Sequence, residues 1–326
     1  MNVLIAGGAG YIGSTVAAEL LKDGHAVTVY DSLIHGHLAA IPEGARFVQG
    51  DILEDPTLDR VLAEGEFDAA MHFAAFIEAG ASMREPGRFF RNNVSGSIHL
   101  IDTAVAHGIS RLVFSSSAGV YATKDTPLVE DDPVGPASVY GQTKRMIEEI
   151  LAWYHEVRGL RYVALRYFNA AGGTPARGED HHPETHLIPN ILRVPLGQQE
   201  QFTLFGDDYP TRDGTCVRDY VHILDLASAH LLALEALDER GAMIYNVGNG
   251  AGYTNLEVLE AARRVTGHPI PTTISPRRPG DAPALVADAA RIRAELGWQP
   301  QRLDLEEIVA SAWAWHRAHP QGYGDA

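Results

Sequence analysis

The sequence has a single cysteine, Cys216, which excludes an internal disulfide and a multi-cysteine metal site. It has no apolar run near the ~20 residues a membrane helix needs, so no membrane partner is expected. Basic residues are scarce: 26 Lys and Arg stand against 42 Asp and Glu, a formal net charge of −16, with no lysine- or arginine-rich stripe. Nucleic-acid binding needs a basic footprint, so that class is set aside. An acidic chain can still hold an anionic ligand through a few local arginines and helix N-termini. Internal repeats and low-complexity tracts are missing too. The start, MNVLIAGGAG, lacks a basic leader region and runs straight into glycines, so it reads as a first strand and not as a signal peptide. With one thiol and no leader, a cytoplasmic setting is expected.

What is present is enough apolar material for a large core: 45% of 326 residues are hydrophobic. Short apolar runs at 3–6, 26–30, 46–48, 69–73 and 112–115 read as strands. Helical patterns at 14–22, 56–63 and 95–107 separate them. That alternation predicts an α/β fold with a doubly wound parallel Rossmann sheet. A long helical pattern follows at 139–157, then a strand at 162–168. After residue 169 the texture changes. Residues 170–184 lack periodicity and read as a long surface loop, and the rest reads as a smaller mixed α/β substrate domain. The expected division is 1–168 and 169–326, with 220–245 a candidate return to the first domain. Strand-like pieces stand at 217–221 and 243–247. Residues 319–326 are polar and are expected to fray.

Between the first strand and first helix lies Gly7-Gly8-Ala9-Gly10-Tyr11-Ile12-Gly13. Gly8, Gly10 and Gly13 satisfy GxGxxG, while Gly7, Gly10 and Gly13 satisfy GxxGxxG. Glycines permit the tight turn and let backbone approach a pyrophosphate, which the helix N-terminus then favours. Asp31 ends the second strand, 18 residues beyond Gly13, where a carboxylate can accept bonds from ribose hydroxyls. It would repel a 2′-phosphate, so NAD is favoured over NADP.

Tyr140-Gly141-Gln142-Thr143-Lys144 opens the long helix, and residues four apart share a helix face. A free tyrosine has a pKa of about 10 and is a poor base at neutral pH. A nearby ammonium and an oxidised nicotinamide would each favour the phenolate. Phe114-Ser115-Ser116-Ser117 ends an upstream strand, and a serine there, with Ser117 the choice, can hydrogen-bond the same substrate hydroxyl. Each motif alone is common by chance. Nucleotide turn, serine cluster and YxxxK in that order form a stronger joint signal.

With these elements in place the chain resembles the extended short-chain dehydrogenase/reductase family, in its sugar-nucleotide 4-epimerase branch. The likeness runs nearly end to end through GGAGYIGS, VYDSLIHGH, NNVSGS, FSSSAGVY, YGQTK, LRYFNAAG and LFGDDYPTRDGTCVRDYVH. It implies NAD-dependent interconversion of UDP-galactose and UDP-glucose by transient oxidation at sugar carbon 4, with Tyr140, Lys144 and Ser117 catalytic. It implies that Gly7, Gly10, Tyr11, Ile12, Gly13, Asp31, Ser32, Gly36, Asp51, Ile52, Phe73, Ala74, Ala75, Asn92, Ser115, Tyr140, Lys144 and Phe168 hold NAD. It further implies that Ser117, Tyr140, Asn169, His186, Leu187, Phe205, Arg218, Arg278 and Asp281 hold the UDP-sugar, and that the protein is a homodimer pairing through the 95–107 and 140–157 helices.

Three positions depart from the family pattern. Ile77 stands where a lysine is frequent, His186 replaces an asparagine, and Leu285 replaces a tyrosine that narrows the sugar pocket in some members. The last suggests activity on UDP-GalNAc and UDP-GlcNAc. A 4-epimerase of UDP-glucuronate or a UDP-pentose, a net dehydrogenase and a non-catalytic NAD-binding sensor stay open as alternatives. A 4,6-dehydratase is disfavoured, because the Ser116–Gly119 stretch (116–119) carries no carboxylate. The run Glu179-Asp180-His181-His182-Pro183-Glu184-Thr185-His186 tempts as a metal loop, but it lacks the HExxH spacing and Pro183 opposes a helix. No metal is expected, and the segment reads as a solvated loop closing over substrate. Trp153, Trp313, Trp315 and Cys216 are expected to be packing residues.

Overall fold

The computed structural model describes residues 1–53, 56–124, 126–278 and 281–324. Seven strands form the central sheet, in spatial order Ala242–Val247, Arg161–Tyr167, Arg111–Ser115, Ala69–His72, Asn2–Ala6, Ala26–Asp31 and Arg46–Gln49. Every pairing is parallel. Helices cover both faces, which is why the inner strands read as continuous apolar runs: Val3, Leu4 and Ile5 are all fully buried. The doubly wound α/β sheet expected from the sequence is therefore what forms.

One face packs helix Tyr11–Lys22 against helix Ile223–Ala236, in a core that also takes Val163, Tyr245, Ile292 and Trp298. The other face packs Leu58, Leu100, Ile101, Ile147 and Leu151 from helices Pro56–Glu64, Gly96–Ala106 and Val139–Arg158. The last helix has clear start and stop signals. Ser138 accepts the Gly141 N–H at its N-terminus, and Gly159 ends it at φ +70°.

A third apolar core belongs to the smaller lobe. It joins Ile188, Leu192, Val258, Leu259, Ile308 and Val309 from helices Leu187–Leu192, Asn255–Thr266 and Leu305–Ala318. Short strand pairs complete it, among them Asn169–Ala171 with Tyr220–His222. Among the described residues no helix is long and apolar enough to cross a membrane.

The sheet order places the site. From Asn2–Ala6 the chain winds outward one way through the second and third strands, then returns to the other side at Ala69–His72. Loops at the carboxyl ends diverge at that reversal and leave a crevice, the usual ligand position in an open parallel sheet.

Four expectations need correction. The first helix begins at Tyr11, three residues earlier than its apolar pattern, because Gly10 serves as its cap. The 170–184 segment is not simply a solvated loop: Asn169–Ala171 is a strand and Glu179 is buried. Trp153 is 68% exposed, since it falls on the outer stripe of its helix, whereas Trp315 is buried as expected. The tail through residue 324 does not fray. Tyr323 stacks on His37 and packs on Trp315, and its backbone N–H donates to Asp180.

Candidate active site

A cavity of about 310 Å³ occupies the crevice at the carboxyl ends of the strands. Its floor is the glycine turn. Gly7 has φ +82°, and a Cβ there would lie 2.4 Å from the Ala74 nitrogen. A Cβ at Gly13 would lie 2.2 Å from the Gly7 carbonyl oxygen, so these two glycines are required by the protein's own packing. Gly10 differs: a Cβ there meets the Gly7 oxygen only at an ordinary 3.5 Å, which leaves its free side to a ligand. Gly10 also caps the helix with no side-chain bond, so the first-turn N–H groups remain open to an anion.

Asp31 braces this turn from the end of the second strand. Its carboxylate accepts the Ala9 N–H at 2.9 Å and the Leu33 N–H at 2.8 Å. Burial holds its pKa above the ordinary value, with those backbone bonds pulling the other way. An open helix N-terminus, a glycine floor and a carboxylate beyond the second strand fit a dinucleotide whose adenosine ribose carries no phosphate. Tyr11, Ile12, Ser32, Gly36, Asp51, Ile52, Phe73, Ala74, Ala75, Asn92, Ser115 and Phe168 line the same cavity. Asn92 projects from a π-helical turn, Phe90–Ser95, that precedes helix Gly96–Ala106.

At the other end stand Tyr140 and Lys144, from the first turns of helix Val139–Arg158, with Ser117 just past strand Arg111–Ser115. The Ser117 hydroxyl acts on the Tyr140 phenol to lower its pKa and accepts the Gly119 N–H at 3.0 Å. Lys144 Nζ donates to the Ser115 carbonyl at 2.7 Å and lies 5.9 Å from the Tyr140 ring centre. One turn further, Glu148 accepts from Ser116 at 2.5 Å and pairs with the buried Arg166 at 2.6 Å. Tyr167 touches Ser115 through its hydroxyl.

Burial pushes the Tyr140 phenol up to about 12; the Ser117 bond opposes this and Glu78 adds to it. Burial brings the Lys144 ammonium down to about 7, with Glu148 opposing. Lys144 is not among the groups that set the phenol's pKa, and the ammonium's hydrogen bond goes to a carbonyl and not to the phenol.

The residues expected to hold the UDP-sugar fall into two groups. Ser117, Tyr140, Asn169 and His186 line the cavity. Phe205, Arg218, Arg278 and Asp281 gather separately: Arg278 lies over the Phe205 ring at 5.2 Å and donates to Asp281 at 3.0 Å, and Arg218 approaches the same carboxylate at 3.8 Å. The link between the groups is Asn169, whose amide donates to the carbonyl of Asp219, the neighbour of Arg218. Leu187 joins neither group and packs on the smaller lobe's core. Leu285 packs behind Ala118 and Phe168, outside the described cavity lining.

Several lining residues were not singled out from the sequence, among them Glu78, His35 and Tyr167, whereas Glu179 and His181 stood out only as part of a run read as a solvated loop. Tyr167 reaches Ser115 only because two strands distant in sequence pair in register. The acidic and histidine residues of 179–186 converge: His186 Nδ1 lies 2.8 Å from Glu179 and 3.0 Å from Glu184, and His181 Nδ1 lies 3.4 Å from Glu179. Burial opposes charge on His181, yet Glu179 and Glu184 hold it up at about 9. Its partners hold the Glu184 carboxyl well below the usual carboxylate range against its own burial.

Residues 3–248 match the NAD dependent epimerase/dehydratase family. The chain is 47% identical to a UDP-glucose 4-epimerase of Lactobacillus helveticus over 329 aligned positions, covering 100% of both chains. Among solved structures it superposes with TM-score 0.92 on a UDP-glucose 4-epimerase from Brucella ovis in complex with NAD, at 42% identity and 96% and 97% coverage of this chain and that one. The epimerase from Bifidobacterium longum in complex with NAD+ and UDP gives TM-score 0.95 at 35% identity, covering 99% of this chain and 100% of that one.

Proposed function

The chain belongs to the NAD dependent epimerase/dehydratase family, and from that premise we propose that it interconverts UDP-galactose and UDP-glucose by transient oxidation at sugar carbon 4, with NAD as cofactor. The observation that carries this function is a single cavity lined both by the Gly7–Gly13 turn (7–13) with Asp31 and by Ser117, Tyr140 and Lys144. One end suits a dinucleotide and the other suits proton transfer from an alcohol.

In this mechanism Tyr140 accepts the proton of the 4-hydroxyl and later returns it, with Ser117 bonded to both oxygens. Bound NAD supplies the acceptor and donor of the carbon-4 hydride, and a positive charge that favours the phenolate. Bringing the phenol from about 12 to neutrality requires on the order of 7 kcal/mol of differential stabilisation. A unit charge about 6 Å away at an effective dielectric of ~20 contributes roughly 3 kcal/mol. Lys144 alone therefore falls short, and the cofactor's charge must supply the remainder, since the effect of Ser117 is already contained in that starting value. Lys144 stays poised near neutrality, where a developing phenolate draws its charge back.

The sugar must present both faces of carbon 4 in turn, so the firm grip belongs on the nucleotide. We assign that grip to Asn169, His186, Phe205, Arg218, Arg278 and Asp281. Two guanidiniums suit a diphosphate and an aromatic ring suits uracil. We assign NAD binding to residues 1–168 together with 220–245, supported by pairing of Ala242–Val247 with Arg161–Tyr167.

Purified protein incubated with UDP-galactose and no added NAD is expected to yield UDP-glucose. Stoichiometric free NADH would instead indicate a dehydrogenase, and bound NAD without reaction a sensor. A homodimer through helices Gly96–Ala106 and Val139–Arg158 is the matching assembly. Its support is the apolar face left open there, with Trp153 at 68%, Val157 at 65% and Ile98 at 36% exposure. Sedimentation that stays monomeric at all concentrations would remove it. A buried lone thiol, Cys216, suits a cytoplasmic setting.

A further inference from the structure

Beside the wall that carries Tyr140, the cavity is also lined by Glu179, His181 and His186, which with Glu184 form a cluster whose carboxylates and His181 take no part in the proton transfer. Glu179, His181, Glu184 and His186 each offer one donor atom, and the four atoms lie within 4.8 Å of one another. We propose that these four side chains form a closed site for a divalent first-row transition cation, with zinc best matched to the donors, which fixes segment 179–186 as a rigid wall of the cavity. The proposal does not depend on the catalytic assignment.

Geometry carries it first. Tetrahedral zinc with bonds near 2.1 Å places its ligand atoms about 3.4 Å apart. The His–Glu contacts here run 2.8, 3.0, 3.4 and 3.8 Å, a spread that small side-chain rotations bring to that spacing. Mixed imidazole and carboxylate donors suit borderline cations better than calcium or magnesium.

Charge and hydrogen bonding carry it independently. The Glu179 and Glu184 side chains are only 7% and 3% exposed, and the described ion pairs give them histidines alone as partners. His181 Nδ1 is buried and faces both carboxylates, yet makes no hydrogen bond. A buried nitrogen that meets its two carboxylates only at 3.4 and 3.8 Å, too loosely for a hydrogen bond, leaves space for a cation between them. Glu184 is held in place by the N–H groups of Thr185 and His186, both at 2.7 Å, the outer-shell bracing that orients metal ligands. With four protein ligands no coordination position is left open, so the ion's role is structural. Ligation through Nδ1 leaves His186 Nε2 available to the nucleotide.

The test uses NAD-loaded protein stripped with chelator and then dialysed against zinc. About one zinc per chain is expected to be retained, with a rise in unfolding midpoint of roughly 5 °C. His181→Ala and Glu184→Gln are each expected to cut retention at least about tenfold. Retention below about 0.1 zinc by the wild type overturns the proposal, as does undiminished retention by both variants, which would place the ion elsewhere. Cobalt(II) loading of the wild type gives a readout free of mutation: intense visible absorption marks four-coordinate geometry, and the weak absorption of a six-coordinate ion overturns the closed site.

Discussion

Two walls of one cavity treat buried charge in opposite ways. On the helix wall burial wins: Lys144 falls to about 7 and Tyr140 rises to about 12, so both groups tend to neutrality. On the loop wall pairing wins: Glu184 stays ionised far below the usual range, and His181 keeps its proton to about 9. The difference lies in partners and not in depth. Lys144 donates to a neutral carbonyl, whereas His181 and His186 each face two carboxylates. The helix wall thus holds groups that can gain or lose charge during a reaction cycle, and the loop wall holds charge that is already settled.

The largest break in this contrast is expected from Tyr140→Phe. It deletes the only atom that exchanges a proton with carbon-4 oxygen and leaves the ring's packing intact. Turnover should drop by about 10³-fold or more, while bound NAD and the unfolding midpoint stay near wild type. Activity within tenfold of wild type would dissolve the assignment of the helix wall as the reacting one.

A smaller effect is expected in stability against pH for metal-free protein. Unfolded histidine titrates near 6.5, and folded His181 near 9. Between those values the folded chain binds more protons, so stability is lost as pH rises, by roughly 2–3 kcal/mol. Lys144 acts oppositely above pH 7, because its folded pKa is depressed and the unfolded chain then binds the extra proton. The informative quantity is therefore the difference between wild type and Glu184→Gln in unfolding midpoints from pH 6.5 to 9. Parallel curves would mean that the loop wall is not charged as described. On the acid side the buried His72, His222 and His230 titrate at about 3, 4 and 4, so stability should fall in both proteins as pH drops below 6.5.

The helix wall was legible in the sequence and the loop wall was not, for a physical reason. Glycine turn, terminal aspartate and Tyr140–Lys144 spacing are local patterns, each set by the geometry of one turn or one helix face. The placement of the loop wall depends on distant residues, with Tyr11 edge-on to His181 and Tyr323 bonded to Gly178 and Asp180, which no local periodicity reports. The same gap explains Trp153, whose helical spacing fits either stripe of its helix, and the 319–324 tail, whose order rests on contacts with His37 and Asp180. Parallel strands were readable as apolar runs, but the meeting of Tyr167 with Ser115 needed their register.

Ser117→Ala sharpens the contrast within the helix wall. It removes the hydroxyl proposed to hydrogen-bond the phenolate as it forms, without touching Lys144 or the cofactor floor. One such bond to a group that becomes charged is worth about 1.5–3 kcal/mol, so turnover should fall by about 10- to 100-fold with KM changed little. An equal loss in KM alone would make Ser117 a binding group and not part of proton transfer.

Arg278 supplies the third setting, pairing without burial, and should show the smallest effect. Its side chain is 51% exposed while it bonds Asp281 and covers Phe205. Exposed ion pairs and cation–π contacts contribute about 0.5–1 kcal/mol each, and salt screens the charge. Arg278→Ala should therefore raise KM for the UDP-sugar by about two- to fivefold, with kcat unchanged and the difference shrinking at high salt. Arg218 touches the same Asp281 but is only 14% exposed and is held by two backbone carbonyls, so its replacement should cost more. A thirtyfold rise in KM for Arg278→Ala that salt does not diminish would mean the bound substrate draws this rim into a dry interior. The rim would then obey the rule of the loop wall, where partners in a desolvated site hold charge firmly.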